Sequence, residues 1–320
     1  MTDHLLAMAA RQHGIVTSAD VARADVSASD LAALVRSGLL HPLRRGVHVV
    51  RADWESASPE ARLALRTRGI LLHRDGSAEQ EHGEVASHQS ALAVHGLPLH
   101  GVGFEVVDLM GDVARVRRDG TLRVHPRDAR LATVVIDGCR TVTTAAALAQ
   151  VAVREGRVPF VVAADAALAR RRTTSEQITE AVLHLARTPR QAVRAQRWIA
   201  ECDPASESVG ESRTRLLLTD LGHCPRTQVR VADDSGAVFA RPDFLIGDRV
   251  IVEFDGLVKY AGLEGREALA AEKIREDRLR ANGYEVVRLT WADLDNPRRV
   301  DALIRAALAR AAARGRRPAS

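Results

Sequence analysis

The chain has 320 residues, 46% of them hydrophobic and 27% charged, with 46 Lys and Arg against 41 Asp and Glu and a formal net charge of +5. That length suits two or three domains, the composition excludes a disordered chain, and no run approaches the roughly 20 apolar residues of a membrane span. The basic balance permits a polyanionic partner such as nucleic acid without requiring one.

The N-terminus, MTDHLLAMAARQHG, lacks the basic and apolar regions of a secretory signal and reads as a short amphipathic helix ended by Gly14. Thr17 and Ser18 are candidate caps for a second helix, and a Ser-capped third helix carries Leu31, Leu34 and Val35 before stopping at Gly38. LHPLRRGVHVV then alternates like a strand pair with basic residues at its bend. Three short helices followed by a basic hairpin give the order of a winged helix-turn-helix, whose third helix enters a DNA groove while the hairpin lies along the backbone. The candidate DNA contacts are Ser27, Ser29 and Arg36 on the helix and Arg44 and Arg45 on the wing. The segment, through its closing Arg-Gly-Val, resembles the N-terminal winged-helix domain of AbiEi-type antitoxins, which implies residues 1–55 as a DNA-binding domain.

Residues 56–200 carry weaker signals. EVASHQSALAVHGLPL reads as a helix followed by a turn, and its SHQSALAVHGL stretch resembles the middle region of AbiEi-like proteins. His88 and His95, seven residues apart, fall on one helix face, but two histidines without a third ligand suit packing better than a metal. FEVVDLM, TLRVHP and ATVVIDG read as strands, and three helices follow, within TVTTAAALAQVAV, RVPFVVAADAALAR and TSEQITEAVLHLA. This region is a candidate surface for a protein partner. Cys139, Cys202 and Cys224 form no CxxC pair, which argues against a zinc site or disulfides and suits small buried side chains in a reducing cytoplasm.

A polar stretch near residue 200, ECDPASESVGES, marks the last boundary, and residues 201–312 form a third region ahead of a basic tail at 313–320. The order there is helix, three strands, helix, strand, helix. Within ARPDFLIGDRVIVEFDGLVKY three carboxylates, Asp243, Glu253 and Asp255, interrupt what otherwise reads as two buried strands. Glu253 and Asp255 share the face of Ile251. A two-residue turn at Gly247-Asp248 would set position 243 opposite 252 and send its carboxylate to the other face. A three-residue turn, 247–249, sets it opposite Glu253. Like charges opposite one another destabilise a sheet, so the second register makes sense mainly if a cation joins them, and oxygen-rich side chains suit Mg²⁺. On the next helix Glu272, Arg275, Glu276 and Leu279 form one stripe. The chain has only two lysines, Lys259 and Lys273, both in or just after this stretch.

The Asp, then Glu-x-Asp-Gly, hairpin followed by a Glu272, Arg275, Leu279, Gly283 and Arg288 pattern resembles the PD-(D/E)xK nuclease core, and within it the very-short-patch-repair-like DUF559 family. The resemblance implies an α+β multidomain protein whose last domain is a restriction-endonuclease-like core that hydrolyses DNA with Mg²⁺ or Mn²⁺. Asp243, Glu253 and Asp255 would hold the metal, Lys259 and Arg275 would face the phosphate, and Glu211 and Glu272 would support them. Lys259 stands where the family has a histidine, and Glu272 where it has an aspartate. Either Lys259 replaces the missing motif lysine electrostatically, or the site binds without cutting, which leaves a non-catalytic regulator of the antitoxin kind as the alternative.

Overall fold

The computed structural model describes residues 2–75, 83–232, 235–256 and 263–315. It divides into two compact units, with the break between Cys202 and Asp203, inside the polar stretch that the sequence marks.

The first unit opens with α1 (Thr2–Ala10), β1 (Ile15–Thr17), α2 (Ser18–Arg23), α3 (Ala28–Arg36), β2 (Leu40–Arg44) and β3 (Val47–Val50). A capping box fixes the start of α2: the Thr17 hydroxyl accepts from Asp20 N, and the buried Asp20 carboxylate receives Thr17 N at 2.9 Å and the Thr17 hydroxyl at 2.7 Å. The same carboxylate also receives Gln12 Nε2 at 2.7 Å, which ties the turn after α1 to α2. Ser27 caps α3 through Asp30 N. Leu31, Leu34 and Val35 lean from α3 onto a core of Leu5, Ala9, Val16, Ala24, Val26 and Leu40. The sheet order is β1-β3-β2, all antiparallel, so β1 extends the hairpin on the side away from β2. Three helices, a short strand and this hairpin are the arrangement of a winged helix-turn-helix. Gly46 at the hairpin tip has φ +78° and its carbonyl receives Ser18 N at 3.0 Å, so the Arg-Gly-Val sequence supplies a left-handed turn residue where the wing meets α2.

The same unit continues with α4 (Arg51–Ser56), α5 (Pro59–Asp75), β4 (Val85–Ala86), α6 (His88–Val94), β5 (Val107–Gly111), β6 (Arg117–Asp119), β7 (Leu122–Pro126), β8 (Thr133–Ile136) and β9 (Cys139–Val142). Four helices close it: α7 (Thr144–Arg154), α8 (Arg157–Ala169), α9 (Ser175–Leu185) and α10 (Pro189–Ala200). The described strands make a mixed sheet in the order β6-β7-β5-β4-β9-β8. α7 and α8 are buried over most of their length, and their alanine-rich faces allow close packing where the chain has few aromatics. The expected long helix over both histidines is shorter: α6 starts at His88, whose φ is +52°, and His95 is its C-cap. Cys139 is buried as expected, whereas Cys202 is partly buried and Cys224 is exposed, since Cys224 lies in the loop after α11 (Val209–Asp220).

The second unit follows α11 with β10 (Pro225–Thr227), β11 (Val231–Ala232), β12 (Val238–Ala240), β13 (Phe244–Ile246), β14 (Val250–Phe254), α12 (Leu263–Ala281), β15 (Glu285–Leu289), α13 (Trp291–Leu294) and α14 (Pro297–Gly315). Two of the expected strands are each broken in two. Gln228, at φ +51°, ends the first, and Pro242, which has no N–H to give a ladder, interrupts the second. The main sheet runs β10-β13-β14-β15, with β13 antiparallel and β15 parallel to β14. Val250 and Val252 face one core with Leu218, Val300 and Ile304. Ile251 faces the other with Leu245 and Leu279. Strand alternation therefore directs Glu253 to the α12 side of the sheet.

Candidate functional site

In the second unit the turn decides the geometry. Ile246 lies opposite Val250, Leu245 opposite Ile251 and Phe244 opposite Val252. Residues 247–249 thus make a three-residue turn, and continuing the register puts Asp243 opposite Glu253. Asp243 Oδ2 accepts the Phe254 N–H at 2.8 Å, at the point where β13 gives way to the Pro242 bend. Burial raises the Asp243 carboxyl to about 6, helped by the negative charges of Glu211 and Glu253 and opposed by the Phe254 N–H and Arg275.

Glu211, in the first turn of α11, is buried, and its Oε2 accepts Glu207 N at 2.9 Å and Gln228 Nε2 at 3.3 Å. The acids that act on Asp243 are thus Glu211 and Glu253. Asp255 shares Glu253's face. Among the described residues, neither the three hairpin carboxylates nor Asp243, Glu253 and Glu211 make a group whose oxygens all lie within 4.8 Å of one another. Lys259 lies outside the described residues.

The α12 stripe faces the sheet rather than solvent. Arg275 forks onto Glu272 at 3.0 and 2.6 Å and reaches Glu253 at 2.9 Å. Arg288 of β15 meets Glu272, and meets Glu276 at 3.0 Å and Glu253 at 3.7 Å. The Arg275 fork holds the Glu272 carboxyl below its usual value. Arg275 is in turn held more firmly protonated, first by Glu272. Arginine thus balances Glu253 and Glu272 directly, while no arginine bonds to Asp243 among the described contacts. Hard carboxylate oxygens fit Mg²⁺ or Mn²⁺ at this spot, provided that Glu253 gives up part of its contact with Arg275.

At the N-terminus, Ser29 and Arg36 are exposed on α3 and Arg45 is exposed at the tip of the wing. Ser27 is exposed too, but its hydroxyl is engaged at the helix end, 2.6 Å from Asp30 Oδ2 and 2.8 Å from Ser29 Oγ. Arg44 is half-buried, with Asp119 of β6 at 3.6 Å as its ion partner. The proposed contacts therefore differ: Arg36 and Arg45 are displayed, Arg44 is shared with an acid, and Ser27 serves the fold.

The geometry of residues 2–50 defines a winged helix-turn-helix within an α+β chain of two units. Residues 4–50 match the family model described as "Transcriptional regulator, AbiEi antitoxin". No curated protein gives a significant match to the chain. No helix among the described residues is long and apolar enough to cross a membrane.

Proposed function

We propose that the chain is a DNA-binding transcriptional regulator of the AbiEi antitoxin kind. The observation that carries this reading is the winged helix over residues 2–50, with Arg36 and Arg45 displayed on the helix and wing that meet DNA in such motifs, in the segment that matches the antitoxin family. Arginine guanidinium groups bind phosphates bidentately, and small side chains such as Ser29 allow α3 to approach base edges closely. The test is binding of the full chain to duplex DNA from upstream of its own coding region, followed by fluorescence anisotropy. Sequence-preferring binding that R36A and R45A weaken is expected. Equal affinity for a random duplex, unchanged in both variants, would refute it.

A second reading concerns the second unit and is favoured by the opposition of Asp243 and Glu253. In it, residues 203–315 form a PD-(D/E)xK-like core in which Asp243, Glu253 and Asp255 hold Mg²⁺ or Mn²⁺, supported by Glu211, after side-chain movements that draw their oxygens together. The bound cation would supply Lewis acidity and an activated water for phosphodiester hydrolysis. Arg275, anchored by Glu272, would meet the phosphate once released from Glu253. Nicking of a supercoiled plasmid in Mg²⁺ or Mn²⁺ by the wild type but not by D243A is the expected result. No difference between the two would remove the nuclease reading and leave the regulator standing.

A further inference from the structure

The first unit contains a second polar cluster, in its six-stranded sheet. β5 and β7 are parallel, with Asp108 opposite Arg123 and Met110 opposite His125. Alternation along each strand brings Asp108, Arg123 and His125 to one sheet face. His88 comes to the same place from the start of α6, its ring stacked on that of His125 at 4.2 Å between centroids. Asp108 is fully buried. Its Oδ1 receives His125 Nε2 at 2.6 Å and Arg154 Nη1 at 2.9 Å, and its Oδ2 receives Gln89 Nε2 at 2.7 Å.

Three features of this cluster exceed what packing requires. The ligand atoms of His88, Asp108 and His125 all lie within 4.8 Å of one another, and this is the one such group among the described residues. His88 adopts a left-handed backbone conformation to reach the cluster, a conformation that costs free energy in a non-glycine residue. Polar atoms are also left over. Gln89 is 4% exposed and its Oε1 is buried without a hydrogen bond, as is Nε of Arg123, whose Nη1 pairs with Asp108 Oδ1 at 3.4 Å. A buried amide oxygen without a donor costs free energy unless a bound group or water meets it.

We propose that His88, Asp108 and His125 form a binding site for a transition-metal dication of the zinc class. Two imidazoles and one carboxylate are the donor set such ions favour. In a tetrahedral zinc site, metal–ligand bonds of about 2.0–2.1 Å put the donors roughly 3.3 Å apart, so shifts of about 1.5 Å or less suffice, with His125 Nε2 and Asp108 Oδ1, at 2.6 Å, moving apart. His88 Nδ1 contacts Ser87 Oγ at 3.1 Å. A fourth position remains for water or an anionic ligand.

Arg154 is the objection and also part of the design. Its Nη1 touches both Asp108 Oδ1, at 2.9 Å, and His125 Nε2, at 3.2 Å, so a cationic group already stands against two of the three ligands. Arg154 is more exposed than the cluster and has a second partner, with its Nε 3.0 Å from Glu155. It supplies the counter-charge to Asp108 in the metal-free form and retreats to Glu155 when the dication enters. Arg123, 3.4 Å from Asp108, stays and weakens the site by like-charge repulsion. Affinity is therefore set by competition between the ion and the arginines.

The experiment uses the full, tag-free chain in a D243N/E253Q background, which removes the hairpin carboxylates, stripped by chelator and titrated with Co²⁺ and then Zn²⁺. The expected result is one equivalent of Co²⁺ with the visible bands of a four-coordinate ion, displaced by Zn²⁺. D108N and H125Q should weaken binding at least about tenfold, and H95Q should leave it unchanged, because His95 is engaged with Val142 O and Thr144 instead. R154Q should bind more tightly than its parent. It keeps all three ligands, so it serves as the test if D108N or H125Q fails to fold by circular dichroism. Absence of saturable binding in both the parent and R154Q, or binding indifferent to D108N and H125Q, would overturn the proposal.

Discussion

Replacing Asp243 by Asn should stabilise the second unit at neutral pH, although it removes a charge from a site proposed to need it. The folded-state carboxyl is raised from 3.8 to about 6. An acid with a raised value favours the fold while protonated: its contribution is complete below 3.8 and is lost as the pH rises through about 6. A shift of about 2 units corresponds to roughly 3 kcal/mol, and relaxation and water entry should reduce this to about 1–2 kcal/mol. Asn mimics the protonated form and still offers an oxygen to the Phe254 N–H. The stability difference between D243N and wild type should therefore be near zero at pH 4 and grow to that value by pH 7.5. Urea unfolding in a W54F/W198F background, followed by Trp291 fluorescence, reads this unit alone, since Trp54 and Trp198 belong to the other. A difference that is flat with pH, or largest in acid, would refute the assignment of the burial and of the Glu211 and Glu253 repulsion to this carboxyl.

Three more outcomes follow from named contacts. If Arg36 and Arg45 each neutralise one phosphate, the log–log salt slope of DNA binding should be about −1.8 per winged helix, and R45A should reduce its magnitude by about 0.9; an unchanged slope would remove Arg45 from the interface. A Cβ at Gly210 would stand 1.9 Å from Phe254 Cε1, so G210A should cost about 1–3 kcal/mol by overpacking, and F254L should restore part of that loss in a thermal melt. D20A should destabilise the N-terminal helices by about 2–3 kcal/mol, because it leaves the Thr17 N–H and the Gln12 amide without their buried acceptor; a circular-dichroism melt unaffected by D20A would show that the capping box contributes little.

How far the chain could be read in advance depended on where the information lies. The caps Thr17 and Ser27 are local, and so the helices of the winged motif were legible from cap residues and apolar spacing. β1 was not: Ile15–Thr17 is too short for any periodicity, and its place comes from pairing with β3. The hairpin acids were visible as charges in an apolar run, but the turn length that sets Asp243 opposite Glu253 is a backbone choice no residue dictates. The role of Glu211 beside Asp243 follows from how α11 and the Pro242 bend are placed. The His88, Asp108 and His125 cluster escaped because its members come from α6 and two strands joined through β6. The available signal was Asp108 in the middle of VVDLM, an acid in a strand buried along its whole length. The pairing of His88 with His95 failed because α6 is too short to hold both on one face.

The energetics of Asp243 bear on whether the second unit binds anything. Glu253 and Glu272 have Arg275 and Arg288 as partners and cost the fold little. Asp243 is different: it is half-buried, faces two acids, and its hydrogen bond from Phe254 N could be accepted equally by asparagine. A residue that lowers stability where an isostere would not is the signature of a functional position, because strain of this kind persists only where something other than folding uses it. On the nuclease reading, a divalent cation would relieve the repulsion with Glu211 and Glu253 that protonation relieves at lower pH. Millimolar Mg²⁺ should therefore raise the stability of the wild type near pH 7.5 and leave D243N unmoved. A wild type that ignores Mg²⁺ while D243N still gains stability would mean that the charge is strained without a cation to serve, and the regulator reading would then account for the chain without a nuclease.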